Sequence, residues 1–273
     1  MTERPSPVLV FSAGLLGAVV LAALLAPWIA PFDPLAQNIM ARMRGPSSEH
    51  WFGTDNYGRD LFSRILHGAR ASLFVSAAAV AGALALGGTL GLLAAYKRGL
   101  VDRIVMRCMD VLFAFPVMLL AIGVIAMLGP GMLPTAIAIA VVYTPFFARL
   151  VRGPALVIVE SDYVANARSI GAGDTRIVLS HILPNLASVI LVQTSLMLSA
   201  AILVEASLSF LGLGTQPPTP SLGGMLSEGR NMLLLSPWAA VFSGVAILVV
   251  AFALNFFGDV LRDTLDPRLR GSR

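Results

Sequence analysis

Six apolar segments, each long enough to cross a lipid bilayer, constrain this chain more than any other feature. They cover approximately residues 8–30, 71–96, 104–128, 133–151, 186–206 and 238–257. Pro116 is expected to break the third segment and Pro145 the fourth. A membrane-spanning helix needs about 20 mostly apolar residues. Charged residues make up only 12% of the chain, which is about half of their usual share in a soluble domain. The sequence therefore predicts an all-α integral membrane protein with six transmembrane helices.

Small residues recur at every fourth position in the first two apolar segments. The stripes comprise Gly14, Ala18, Ala22 and Ala26 in the first segment, and Ala83, Gly87, Gly91 and Ala95 in the second. Positions four apart lie on one face of a helix, and small side chains let a neighbouring helix approach closely. Both stripes therefore predict packing faces.

The polar segment between the first two apolar segments is rich in turn-forming residues. Near its end, Leu61 and Ile65 share one face of a possible helix, while Asp60, Arg64 and Arg70 lie on other faces. This pattern predicts a short helix on the membrane surface, separate from the second transmembrane span.

Lysine and arginine residues favour one side of the membrane. If the N-terminus is cytoplasmic, thirteen of the 19 lie in cytoplasmic segments. These are Arg4, Lys97, Arg98, Arg103, Arg107, Arg149, Arg152, Arg168, Arg176, Arg262, Arg268, Arg270 and Arg273. Because cytoplasmic loops carry an excess of Lys and Arg, we expect both termini and the loop of residues 152–185 to be cytoplasmic. The basic residues occupy short loops between apolar segments, so no nucleic-acid partner is expected.

The loop of residues 152–185 is the most informative segment for function. Residues 160–170 favour a short helix, which the glycines at Gly171 and Gly173 should end. Asp174 is a suitable N-cap for a second helix, and Pro184 either ends that helix or begins the next span. The loop therefore predicts two short helices that project from the membrane at an angle.

No group of residues in the sequence is typical of a catalytic site. A P-loop ATPase holds phosphate with a lysine in a glycine-rich loop, whereas Lys97 is the only lysine and lacks such a loop. The three histidines, His50, His67 and His181, are not at metal-ligand spacing. We therefore expect no catalytic residue, metal or cofactor in this chain, and any ATP must be hydrolysed by a partner.

The loop resembles the coupling loop of ABC-transporter permease subunits. Their general pattern is Glu-Ala-Ala, three residues, Gly, nine residues and Ile-x-Leu-Pro. The corresponding residues are Ala165-Asn166-Ala167, Gly171 and His181-Ile182-Leu183-Pro184. The general Glu and first Ala are absent, but the loop is similar to the peptide-uptake branch, which favours Tyr-Val-x-Ala-Ala-Arg and His-Ile-Leu-Pro-Asn. Only Asn166 departs from that version.

Three further segments resemble the same branch, in the same order along the chain. They lie at residues 50–70 (His50-Trp51-Phe52-Gly53-Thr54-Asp55 to Gly68-Ala69-Arg70), 208–218 (Leu208-Ser209-Phe210-Leu211-Gly212-Leu213-Gly214 to Pro218) and 258–267 (Gly258-Asp259 to Asp266-Pro267). The match is to the second of two paired permeases in dipeptide, oligopeptide, nickel and glutathione importers. Leu222 stands where that family usually has Trp.

The resemblance implies a type I importer fold in the bacterial cytoplasmic membrane. Residues 1–70 would form an N-terminal transmembrane helix with an extracytoplasmic segment, and residues 71–273 the core permease domain. The implied partners are the bilayer, a second homologous permease, two ATPase subunits that bind ATP and Mg²⁺, and an extracytoplasmic solute-binding protein. The ATPase-coupling residues would be Glu160, Asp162, Tyr163, Val164, Ala165, Ala167, Arg168, Gly171, Ala172, Asp174, His181 and Pro184.

Two polar residues near the ends of spans are candidates for the translocation pathway or its gate. An ionisable residue in a membrane helix is a functional candidate by default, and Glu205 lies close to the outer end of the fifth span. Its alternative is a helix-end position in interfacial water. Asn255 in the sixth span is expected to form a hydrogen bond between helices.

The alternative to a permease is a stand-alone secondary transporter or channel. That class predicts ion- or proton-driven uptake without an ATPase, and it normally has more buried charge than these apolar segments indicate. A membrane-embedded enzyme is disfavoured because the sequence lacks a catalytic cluster. The substrate cannot be read from the sequence, since related permeases serve dipeptides, longer peptides, glutathione and metal chelates.

Overall fold

The chain folds into a bundle of helices, which a computed structural model describes for residues 7–265. The α-helices are α1 (Pro7–Leu24), α2 (Ala26–Ile29), α3 (Leu61–Lys97), α4 (Gly99–Phe113), α5 (Val117–Leu128), α6 (Met132–Val159), α7 (Asp162–Ser169), α8 (Asp174–Ile177), α9 (Leu183–Phe210), α10 (Leu222–Arg230) and α11 (Trp238–Leu265). A π-helical turn, Val178–Ile182, joins α8 to α9. No β-strand occurs in this range, so the predicted all-α class is confirmed there. Arg4, Asp266, Pro267, Arg268, Arg270 and Arg273 lie outside it.

Within residues 7–265, five helical segments are long and apolar enough to cross a membrane. The number is six if α4 and α5, which meet at an angle of 94°, count as one bent span. Pro116, at the start of α5, lacks the N–H that would continue the helix from α4. The predicted break at this proline is therefore confirmed. Pro145 lies inside α6 instead and does not end it.

The second span begins much earlier than its apolar run. The predicted surface helix of residues 58–66 is wrong as a separate element, because Leu61–Lys97 forms one helix of 37 residues. Asp60 caps it by accepting a hydrogen bond from Ser63 N (2.8 Å) and is held by His50 Nδ1 (2.9 Å). The expected domain boundary after residue 70 therefore lies inside an uninterrupted helix.

The loops assemble into two opposite ends of the bundle. At the Asp60 end, Gly131 N donates to Leu213 O (3.3 Å), which joins the start of α6 to the segment after α9. At the Gly171 end, Arg98 is 2.9 Å from Glu160. The ring contact between Phe11 and Phe256 (6.3 Å) places the beginning of α1 towards the Gly171 end. Within residues 7–265, the beginning of α1, the end of α3 and the loop after α6 therefore lie at one end of the bundle, as expected for segments on one side of the membrane.

The most extensive contact between helices joins α3 and α6. Gly87 and Gly91 face the α6 backbone so closely that an added Cβ would collide with the carbonyl oxygens of Thr144 and Ala148. The predicted packing face of the second stripe is therefore confirmed. The first stripe packs within this chain only at its end, since Gly14 has no atom within 4 Å of its Cβ position, whereas Ala26 is completely buried.

A buried ion network joins the 31–60 segment, α3 and α10 at the Asp60 end. Arg59 Nε is 2.6 Å from Asp55 Oδ2, and its Nη2 is 3.2 Å from Glu228 Oε2. Arg64 Nε lies 3.4 Å from the same Asp55 oxygen. Asp55, Arg59 and Arg64 are all buried, so the structure buries more charge than the apolar pattern indicated.

Candidate functional site

The loop at the Gly171 end is fixed to the bundle by an apolar face. Val164 and Ala167 of α7 are buried, as are Ile177 and Ile182 beyond the turn. Val164, Ile177 and Ile182 pack in one cluster with the last turns of α6, including Val159. Helix α7 confirms the predicted helix in residues 160–170. Because Val164 and Ala167 face inward, they anchor the loop and are not on its exposed side.

The opposite side of α7 is open and partly apolar. Tyr163 is 44% exposed and Ile170 is 87% exposed. Ala165 is also exposed. Gly171 has a φ of +86° and no atom within 4 Å of its Cβ position. The sequence predicted Ala167 but not Ile170 as a residue of this surface.

The end of α3 holds this loop through four polar contacts. Tyr96 donates its hydroxyl hydrogen to Asp174 Oδ1 (2.5 Å), and Lys97 Nζ lies 3.7 Å from Asp174 Oδ2. Arg98 pairs with Glu160 (2.9 Å), and the Arg168 guanidinium lies 5.2 Å from the Tyr96 ring centroid. The predicted N-cap role of Asp174 is wrong, since Gly173 occupies that position.

The second half of the loop is continuous with the fifth span. The helical path from Asp174 to Phe210 covers 37 residues. Pro184 lies in the first turn of α9, so it begins the fifth span rather than ending the helix before it. His181 O accepts from Asn185 Nδ2 (2.6 Å), and the His181 ring faces Tyr163 at 6.2 Å. Two independent projecting helices were therefore a wrong prediction: α7 projects, whereas α8 extends α9.

Two arginines of α6 hold the bent pair of helices from the same end. Arg152 donates two hydrogen bonds to Asp102 of α4, at 2.5 and 2.6 Å. One turn away, Arg149 is 2.7 Å from Asp110 and lies over the Phe113 ring at 4.2 Å. The half-span α4 is therefore tied by ion pairs to α6, which leads directly into the α7 loop.

The two pathway candidates differ in their surroundings. Glu205 is completely buried; its Oε1 accepts a hydrogen bond from Ser209 (2.7 Å), whereas Oε2 has no partner in the described structure. A position in interfacial water is thus wrong for this residue. Asn255 is exposed, and no hydrogen bond joins it to another helix within residues 7–265.

Between residues 7 and 265, no three His, Cys, Asp or Glu side chains are grouped to hold a metal ion. The Gly171 end instead presents an exposed, partly apolar surface on a braced loop.

The sequence from residue 87 to residue 271 matches the family described as binding-protein-dependent transport system inner membrane component. This chain belongs to that family. Residues 4–46 of the permease also match the N-terminal transmembrane domain of oligopeptide transport permease C.

Curated relatives extend this match along nearly the whole permease. It is 48% identical over 263 residues to the glutathione transport system permease protein GsiD of Pectobacterium atrosepticum, covering 95% of this chain and 87% of the relative. It is 45% identical over 251 residues to the dipeptide transport system permease protein DppC of Alkalihalophilus pseudofirmus, covering 92% and 83%.

The fold is shared with a solved importer. A chain of the inward-facing MetNI methionine ABC transporter superposes with a TM-score of 0.61 at 17% identity, covering 74% of this chain and 96% of the other. The permease therefore has the type I importer fold. As a member of the binding-protein-dependent family, it is a multi-pass inner-membrane subunit that works with separate ATPase and substrate-binding proteins. The stand-alone transporter or channel is not supported.

Proposed function

We propose that the permease pairs with a second homologous permease and forms half of a translocation pathway for di- or oligopeptides or related small solutes such as glutathione. The names of its relatives support this substrate range. Within a common permease fold, the substrate choice rests with the extracytoplasmic binding protein. Ligand binding measured on that protein by calorimetry, with dipeptides, longer peptides and glutathione as probes, distinguishes these substrates.

The Gly171 end faces the cytoplasm in this proposal, and the loop of residues 152–185 seats on one of two ATPase subunits. The observation that carries it is the division of α7 into a buried side, with Val164, and an exposed side, with Tyr163 and Ile170. ATP and Mg²⁺ are bound by the ATPases and no cofactor by this chain. Asp162, exposed and without an ion-pair partner in residues 7–265, is available to a partner charge.

Both termini lie in the cytoplasm in this arrangement. The Lys and Arg bias of the loops supports the assignment, as does the position of Phe11 beside Phe256. The Asp60 end then faces the extracytoplasmic side, where the solute-binding protein docks.

Gly171→Arg tests the coupling surface. The larger side chain projects from an open position into the space that the ATPase would occupy. We expect uptake of the substrate to be abolished, while the amount of permease in the membrane fraction stays normal. Normal uptake at normal membrane levels would refute the coupling role.

Gly171→Asn controls for the backbone. A residue with positive φ other than glycine costs about 1–2 kcal/mol, but asparagine tolerates this conformation better than most residues. We expect Gly171→Asn to keep most of the uptake. If both variants lose uptake equally, local strain rather than docking explains the effect.

The segment between α10 and α11 is the proposed contact for the binding protein. Leu234 is fully exposed and Leu235 is 73% exposed, at the end opposite to Gly171. Leu234→Asp should lower substrate-dependent stimulation of the importer's ATPase activity by the binding protein several-fold. The basal ATPase activity should be unchanged. If Leu234→Asp and the wild type needed the same half-saturating concentration of binding protein for this stimulation, the docking site would be wrong.

A further inference from the structure

A crevice opens between α1 and α3 on the side of the bundle away from the coupling loop. Its volume is about 690 Å³, which is within the range of roughly 300–1,000 Å³ typical of ligand pockets. The walls are mostly apolar and include Leu16 of α1, Phe74 of α3, Leu198 of α9 and Leu254 of α11. Phe74 is 67% exposed, so the crevice is open to the surroundings of the bundle.

Two basic side chains line the same crevice. Arg70 and His67 project from α3 one turn apart. Arg70 is exposed and forms no ion pair or hydrogen bond within residues 7–265, in contrast to Arg59 and Arg64 of the same region. Asp33 is the acidic group near His67; its Oδ1 accepts from Leu35 N (2.8 Å). The crevice thus combines apolar walls with the positive charge of Arg70, which forms no ion pair within residues 7–265.

The position of Arg70 along α3 matches the depth of a phospholipid headgroup. Lys97 ends α3 at the other end of the bundle. At 1.5 Å per residue, the 27 residues between them span about 40 Å. A bilayer with its headgroups measures roughly 40–45 Å. Leu198 lies twelve residues, or about 18 Å, below the end of α9, and one leaflet of hydrocarbon is about 15 Å deep.

We propose that the crevice holds one anionic phospholipid from the surrounding bilayer. One acyl chain occupies the apolar walls, and the phosphate lies against the Arg70 guanidinium. The attraction between one lysine or arginine near the membrane surface and anionic lipid is about 1 kcal/mol, which is about fivefold in the binding constant. A soluble anion would not use the apolar walls, and in a zwitterionic lipid the cationic headgroup offsets the charge of the phosphate.

Native mass spectrometry of the purified importer tests the proposal. The complex is reconstituted in nanodiscs with phosphatidylglycerol, phosphatidylcholine or equal mixtures. We expect one phosphatidylglycerol to stay bound per copy of this permease, with at least a fivefold preference over phosphatidylcholine. Arg70→Gln should reduce this preference to near one. Arg230→Gln, an exposed arginine at the same end, should leave it unchanged.

A second pair of variants tests the place rather than the charge. Ala77 lines the crevice, and Ala78 is equally exposed but does not. Ala77→Trp should displace the retained lipid, whereas Ala78→Trp should not. Equal retention in both, or no preference in the wild type, would overturn the proposal. A disulfide between Ala77→Cys, in a Cys108→Ala background, and the other permease would also overturn the proposal. A protein helix would then fill the crevice.

Discussion

Replacing Gly87 by alanine should separate the two helices at the centre of the bundle. The new Cβ would overlap the Thr144 carbonyl oxygen and lie 3.0 Å from Ala148 N. Both are backbone atoms, so no side-chain rotation relieves the overlap. To restore ordinary contact distances of about 3.5 Å, α3 and α6 must move apart locally by roughly 1 Å.

The cost follows from the contacts that such a gap weakens. A gap of 0.5–1 Å forfeits about a quarter to a half of each dispersion contact. Phe147 and Ile139 of α6 are completely buried in this region. Overpacking of a tight core costs typically 1–3 kcal/mol, and the higher helix propensity of alanine returns up to about 1 kcal/mol. We expect a net loss of about 1–2 kcal/mol in the free energy of unfolding.

Gly88→Ala is the matched control. Its Cβ would meet only side-chain ends, Leu84 Cδ1 at 3.4 Å and Val151 Cγ2 at 3.9 Å, while the gain in helix propensity is the same. Unfolding of the purified permease in increasing mole fractions of dodecyl sulfate, followed by circular dichroism, should place Gly87→Ala about 2–3 kcal/mol below Gly88→Ala. Equal stabilities of the two variants would show that the close approach does not limit packing.

Two further changes test polar contacts inside the bundle. Glu205→Gln keeps an acceptor for Ser209 and should retain uptake and stability, whereas Glu205→Leu strands that hydroxyl and should cost about 1–2 kcal/mol in the same unfolding assay. Uptake lost in the Gln variant, at unchanged stability, would contradict a purely positioning role. For the paired hydrogen bonds between Arg152 and Asp102, a double-mutant cycle with Arg152→Met and Asp102→Asn should give a coupling energy of about 1 kcal/mol. A coupling near zero would mean that α4 is held by other contacts.

The sequence predicted the parts of the fold that depend on local composition. Apolar length identified every span, and Pro116 marked the break between α4 and α5. The α7 helix and its end at Gly171 followed from local residue preferences. The stripe with Gly87 and Gly91 identified a packing face because close helix contact needs small side chains over several turns.

Long-range contacts explain where the sequence misled. Arg64 looked like a solvent-facing residue of a surface helix, yet Asp55 and Glu228 compensate its charge. Glu228 is far away in the chain, and no local pattern indicates that pairing. The stripe through Gly14 failed for a related reason, since a stripe of small residues does not say which neighbour, if any, belongs to the same chain.

The coupling loop shows the same limit on a smaller scale. Residues 160–170 predicted a helix but did not say which side of it faced inward. That choice depends on Ile177 and Ile182, which form the buried cluster together with Val164. The role of Tyr96 was equally hidden, because it lies 78 residues from Asp174 in the chain.

The continuous helical path from Asp174 to Phe210 works as a lever. Its 37 residues correspond to a rod about 55 Å long. If one end is pivoted, each degree of tilt displaces the other end by about 1 Å, by the geometry of a rod of that length. In the proposed coupling, a rotation of an ATPase by only a few degrees would therefore shift Glu205 and the residues around it by a few ångströms. The hydrogen bonds inside the rod would stay intact.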